Sequence, residues 1–127
     1  MPQYDSAYFD PPAPVALVTL SNPMNDKAIH DVPMLLDTGA DTSLLPRAAV
    51  EQLGIQIDNS TSFGLVAFDG TRSVSGTALA HLVLLSNTFR GKFLLRDDVV
   101  GVIGRDILNH LSLRLNGRQL TWNLENH

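Results

Sequence analysis

Short apolar runs alternate along the chain with polar breaks marked by glycine, proline or asparagine, and most of the runs have the length of a strand. Val15-Ala16-Leu17-Val18-Thr19-Leu20 is the first, closed by the loop residues Ser21-Asn22-Pro23-Met24-Asn25-Asp26. Val32 to Leu36 is the second and stops abruptly at Asp37-Thr38-Gly39, and a third strand is predicted from Ser43 to Leu45. The pattern then changes: proline in a first turn at Pro46, and Gly54 just past the last apolar position, predict one short helix between them. Strands return after it. Phe63 to Phe68 and Thr71 to Val74 flank Asp69-Gly70, a dipeptide that tolerates the positive φ of a tight hairpin turn. Thr77 to Leu85 and Gly91 to Leu95 flank the Ser86-Asn87-Thr88 turn. Val102-Ile103-Gly104-Arg105-Asp106 leads into a second short helix, Ile107 to His110. Leu111 to Leu115 alternates strictly, turns at Asn116-Gly117 and returns as Gln119 to Leu124, a hairpin. Ahead of all this, residues 1–14 carry Pro2, Pro11, Pro12 and Pro14 and predict an extended arm, with residues 15–127 as one domain. Many short strands with two brief helices predict a closed, mostly β domain.

Composition narrows the classes this domain can belong to. At 127 residues, 44% hydrophobic and 17% charged, the chain suits one folded core and is too short for two ordinary domains. A net charge of -4 with scattered Lys and Arg leaves no footprint for nucleic acid or an anionic membrane. No apolar run approaches the roughly 20 residues that span a bilayer, and Met1 to Pro14 does not read as a signal peptide. The absence of cysteine excludes disulfides, thiolate metal sites and a cysteine nucleophile, and fits a reducing compartment, so a cytoplasmic location is expected. His30, His81, His110 and His127 are dispersed without metal-ligand spacing, and no serine lies in a nucleophile elbow. No metal or organic cofactor is expected. Asp97-Asp98 reads as a solvated loop, and Trp122 as an anchor in the core or at an interface.

The chemistry concentrates in Leu35-Leu36-Asp37-Thr38-Gly39-Ala40-Asp41-Thr42-Ser43. A carboxylate directly after a buried apolar strand sits half desolvated at the mouth of the core. Thr38 can hydrogen-bond locally, and Gly39 leaves room for the backbone of a substrate. Asp-Thr-Gly alone is a common turn; here it follows an apolar strand and is matched downstream by Ile103-Gly104-Arg105-Asp106.

This ordered pair of motifs resembles the retropepsin-like aspartic proteases, over a stretch from Val15 to Leu124. Leu36-Asp37-Thr38-Gly39-Ala40-Asp41 fits the active-site motif of that family, and Val102-Ile103-Gly104-Arg105-Asp106 fits its second signature. The resemblance implies a closed acid-protease barrel with one short C-terminal helix and a flap hairpin. It implies an aspartic endopeptidase that acts on peptide or protein substrates, with Asp37, Thr38 and Gly39 in the catalytic loop. The chain holds one Asp-Thr-Gly and no Asp-Ser-Gly, whereas the chemistry needs two carboxylates sharing a proton. The second therefore comes from a symmetry mate, and a homodimer is expected. By the same resemblance, Thr38 braces the two loops across the twofold. Ala40 and Asp41 meet the substrate backbone, and Leu44, Val66, Phe68 and Ile103 line the cleft. Asp69-Gly70 forms the tip of the flap, the other reading being an ordinary surface hairpin. Arg105 is a buried partner of Asp41 or else an exposed charge, and Gly104 packs closely against the strand carrying Asp37. Ala40 offers no hydroxyl to an ionised carboxylate, so activity is expected from mildly acidic to neutral pH. Gln119 to Leu124 are the expected dimer contacts. The alternative function is a non-catalytic peptide-binding or assembly module on the same fold. As to origin, a free-standing protein and a segment of a retroelement polyprotein are both compatible with these residues, and Met1 with the closing hairpin favours the first.

Overall fold

In the computed structural model, residues 2–59 and 74–125 are described. Their elements follow the apolar runs. β1 (Tyr4–Asp5), β2 (Ala13–Ser21), β3 (Ala28–Leu36) and β4 (Leu44–Pro46) precede α1 (Arg47–Gln52). Then come β5 (Val74–Leu84), β6 (Asn87–Arg96), β7 (Gly101–Ile103), α2 (Arg105–Leu108), β8 (Leu113–Asn116) and β9 (Thr121–Leu124). Period-two alternation decides which side chains turn inward. On β2, Ala16, Val18 and Leu20 are buried while Leu17, between the first two, is exposed; on β5, Ala78, Ala80, Leu82 and Leu84 are buried and Leu79 is exposed.

Six of the strands close into a barrel in the order β2-β3-β7-β4-β6-β5, with β5 returning to β2 through Thr19↔Val83 to Ser21↔His81. Closure leaves no free edge among these six. Two pairings matter for the site, and the first is parallel: β3 lies beside β7 from Met34↔Gly101 to Leu36↔Ile103. That pairing begins one residue after Pro33, which has no N–H to donate to it. β7 is then flanked on its other side by β4, antiparallel at Leu44↔Val102. A glycine is required where three strands converge this tightly. A Cβ on Gly101 would lie 2.7 Å from the Leu44 carbonyl oxygen and 2.8 Å from Pro46 Cδ. Inside, Val18, Leu20, Met34, Leu45, Val50, Leu82, Leu84, Leu95 and Ile103 are fully buried.

α1 starts after Pro46 and ends before Gly54, whose φ of 68° is the left-handed exit that glycine accepts most readily. α2 begins at Arg105, two residues earlier than the apolar pattern suggests, because Gly104 supplies the extended N-cap. The strand β7 was not separable in the sequence from the helix that follows it, and the polar start of β3 (Ala28 to Asp31) concealed four of its nine residues.

Residues 2–4 are stitched to the C-terminal hairpin, and the chain returns from there to pair with the start of β2. Trp122 N–H donates to the Pro2 carbonyl at 3.1 Å, Tyr4 N–H donates to Leu120 O at 2.8 Å, and β1 pairs with the start of β2. Trp122 is a core residue, 1% exposed, with its indole N–H on Val15 O at 3.1 Å. β9 thus has β8 on one side and the Pro2–Tyr4 segment along the other. Among the described residues, the strand in this hairpin with no second neighbour is β8. No helix among the described residues is long and apolar enough to cross a membrane.

Candidate active site

Asp37 is the first residue beyond β3, and its N–H donates to Ile103 O at 3.0 Å, extending the β3–β7 pairing by one step. The chain then turns on itself. Ala40 N–H donates to Asp37 O at 3.2 Å, and Gly39 N–H donates to the carboxylate oxygen Asp37 Oδ1 at 2.9 Å. The carboxylate is half-buried, while Thr38, Gly39 and Asp41 are exposed and Ala40 and Thr42 are intermediate. A strand paired on both sides therefore delivers a carboxylate to the surface with one oxygen oriented by a backbone donor. Such a group is placed to bind and polarise a water.

The segment after β7 holds this loop from behind. Arg105 N–H donates to Ala40 O at 2.9 Å and the Arg105 guanidinium donates to Thr38 O at 2.6 Å. Gly104 packs on the loop so closely that a Cβ there would sit 2.7 Å from both the carbonyl carbon and oxygen of Thr42 and 2.9 Å from Ala40 O. Ser43, fully buried, donates its N–H (3.0 Å) and its hydroxyl (2.7 Å) to the two oxygens of Asp106, and its Oγ accepts Gly104 N–H at 3.0 Å.

Three expectations change against this geometry. Ile103 does not line a cleft: it is 0% exposed and belongs to the core cluster. Alternation along β7 turns its neighbour Val102 to the opposite face, paired with Leu44; Val102 is also buried, at 5% exposed, but lies outside the core cluster. Arg105 is exposed and bonds a backbone carbonyl; no ion pair to Asp41 forms among the described residues, because the short turn of 38–40 places Thr38 O within the reach of the guanidinium. Gly104 packs against the 40–42 loop rather than the strand that carries Asp37. Val66, Phe68, Asp69 and Gly70, expected in the flap and cleft, lie outside the described residues. Asp97 and Asp98 pair at the surface with Arg47 (2.8 Å) and Arg96 (3.1 Å). Ser43 and Asp106 were absent from the expected site. The one sequence signal for Asp106 was its place directly after Gly104-Arg105.

Comparison with known proteins bears on the family and the fold. Residues 24–110, most of the chain, match the family described as "gag-polyprotein putative aspartyl protease". Among solved structures, the chain is similar to the EIAV protease complexed with the inhibitor HBY-793. The identity is 27% and the TM-score 0.59, over 77% of this chain and 86% of that one. It is also similar in fold to the retroviral protease-like domain of Ddi1 from Leishmania major, at 17% identity and a TM-score of 0.57 over 89% of this chain and 90% of that one. No curated protein matches the sequence.

Proposed function

We propose, since the chain belongs to the retropepsin-like aspartic protease family, that it is an aspartic endopeptidase whose active form is a homodimer with Asp37 contributed by each copy. The observation that carries this reading is the Asp37 carboxylate, held half-buried at the end of β3 with Gly39 N–H on Oδ1. Two such carboxylates facing each other across a twofold cannot both ionise, so they hold one proton between them. The ionised member takes a proton from the attacking water as the protonated member gives its own to the scissile carbonyl oxygen. Peptide hydrolysis follows without a metal. Thr38, exposed beside Asp37, is the residue that braces one loop against its counterpart, while Gly39, Ala40 and Asp41 present the loop backbone to an extended peptide. Leu44 and Val102 provide an apolar wall, favouring hydrophobic residues around the cut. The unpaired edge of β8 is a natural place for the C-terminal hairpins of two copies to meet.

The test is peptidase activity on a peptide library across pH and at several protein concentrations, beside Asp37→Asn. Activity that rises faster than linearly with concentration and disappears in the variant supports the dimeric endopeptidase. A dimer in sedimentation with no Asp37-dependent cleavage would instead favour a peptide-binding module on the same fold.

A further inference from the structure

We infer that Asp106 is a positioning residue for the Asp37 loop, an inference that rests on the endopeptidase reading for its kinetic consequences but not for its geometry. The loop from Asp37 to Ser43 is fastened at two ends. At the first, the tethers are backbone groups and Arg105: Asp37 N–H on Ile103 O, Arg105 N–H on Ala40 O, and the guanidinium on Thr38 O. At the second, the fastening is a side-chain carboxylate. Asp106 Oδ2 accepts Ser43 N–H at 3.0 Å, with the Thr42 hydroxyl at 3.5 Å, and Oδ1 accepts the Ser43 hydroxyl at 2.7 Å. Asp106 Oδ1 also accepts Ile107 N–H at 2.9 Å, which ties the carboxylate to the first turn of α2.

The direction of these bonds matters. Because the Ser43 hydroxyl spends its hydrogen on Asp106, its oxygen is left to accept Gly104 N–H at 3.0 Å. The run Gly104 N–H to Ser43 O–H to Asp106 is thus ordered donor to acceptor, and a carboxylate satisfies both donors of Ser43 with one oxygen for each. Ser43 is 0% exposed while Asp106 is exposed, so water entering in place of a truncated carboxylate would have to accept both Ser43 donors without the anchorage that α2 gives Asp106. Asparagine would offer one oxygen and turn an NH2 towards a donor. Alanine would offer nothing. With the Asp106 fastening lost, residues 38–42 rest on the tethers at Thr38 and Ala40, and their far end rests on the Gly104–Ser43 bond and on β4 from Leu44 onward. The Gly39 N–H that orients Asp37 Oδ1 belongs to that same stretch. Asp106 therefore acts on Asp37 through the loop, since its carboxylate bonds Ser43, Thr42 and Ile107.

The experiment compares wild type, Asp106→Asn and Asp106→Ala in two measurements. The first is kcat and KM per active site, counted with a tight-binding peptide-like inhibitor. Asp106→Ala should lower kcat on the order of ten- to a hundredfold, the effect of a small misplacement of the reacting group, with KM changed far less. Asp106→Asn should recover part of the loss. The second is amide hydrogen exchange, which needs no activity. Ser43, Gly104 and Ala40 should exchange faster in Asp106→Ala, while Leu82 and Phe89 on the β5–β6 hairpin keep their wild-type rates. Full kcat per titrated site in Asp106→Ala overturns the inference. So does faster exchange spread equally to β5–β6, the mark of a general loss of stability. A wild type that cleaves nothing removes the endopeptidase reading, and the exchange measurement then decides the role of Asp106 alone.

Discussion

Gly104→Ala is the sharpest test of how β7 and the Asp37 loop fit together. Gly104 has φ -96° and ψ -171°, extended backbone that alanine adopts freely, so no conformational strain enters and the whole effect is steric. The added methyl would lie 2.7 Å from two backbone atoms of Thr42 and 2.9 Å from Ala40 O, where ordinary contact begins near 3.4 Å. The loop or β7 must therefore give by about 0.7 Å, the difference between those contacts. Neither side gives freely: Ala40 O holds Arg105 N–H, and Ser43 beside Thr42 holds both Gly104 N–H and Asp106. Overpacking a tight site costs about 1–3 kcal/mol, and straining one of these hydrogen bonds adds about 1 kcal/mol. A loss of about 2–4 kcal/mol in a chain of this size lowers Tm on the order of 10 °C. The control is Gly117→Ala, where a methyl meets nothing within 4 Å and stability should stay within about 0.5 kcal/mol of wild type. Urea unfolding at one fixed protein concentration reads both, since dimerisation would otherwise enter the comparison. Equal midpoints for the two variants would mean that the loop yields without resistance, and the account of why residue 104 is glycine would fail.

Other substitutions separate the core of the barrel from its surface. Ile103→Ala, which empties a fully buried position, should cost about 2–5 kcal/mol in urea unfolding. Val102→Ala, at a position 5% exposed beside Leu44, should cost less stability than Ile103→Ala and also raise KM for substrates with bulky apolar residues, and a larger stability loss at Val102 than at Ile103 would place the wrong face of β7 inward. Trp122→Phe keeps most of the apolar packing but leaves the buried Val15 carbonyl without its indole donor, a loss of about 1–3 kcal/mol by the same measurement. Asp97→Asn breaks a 2.8 Å ion pair whose carboxylate is 70% exposed, and thermal unfolding should move by less than about 0.5 kcal/mol.

Where alternation and punctuation were strong, the sequence was enough to draw the fold. Pro46 and Gly54 bracketed α1 because both act through the local backbone, and Val15 to Leu20 was legible because one face of β2 is wholly buried. β7 was not, since three residues are too few to show a period and their neighbours on both sides are apolar or helical. The N-terminal segment misled for another reason. Four prolines predict extended backbone correctly, but extended backbone is also what an added strand needs, and whether it pairs depends on β9 arriving more than a hundred residues later.

The candidate site divides along the same line. The turn at Asp37-Thr38-Gly39 was legible because its demands are local, and for Gly104 the close approach was legible but its partner, the 40–42 loop rather than the strand, was not. Assigning Ile103 to the cleft failed by a single position, since a strand presents opposite faces at successive residues and the Val102-Ile103 pair carries no polar neighbour to fix the phase. The resemblance pairs Arg105 with Asp41, the other reading being an exposed charge; Arg105 is exposed, and its guanidinium reaches the Thr38 carbonyl, a group with no signature in any sequence because every residue has one. Ser43 and Asp106 show the consequence most clearly. They are 63 positions apart, and neither looks chemical alone. They become a unit only because the β3–β7 and β4–β7 pairings bring the two ends of β7 and β4 together. The barrel is thus more than a support on which an active-site loop happens to be mounted. By pressing β7 between β3 and β4, it converts a serine and a carboxylate from distant parts of the chain into the rear fastening of the loop that presents Asp37.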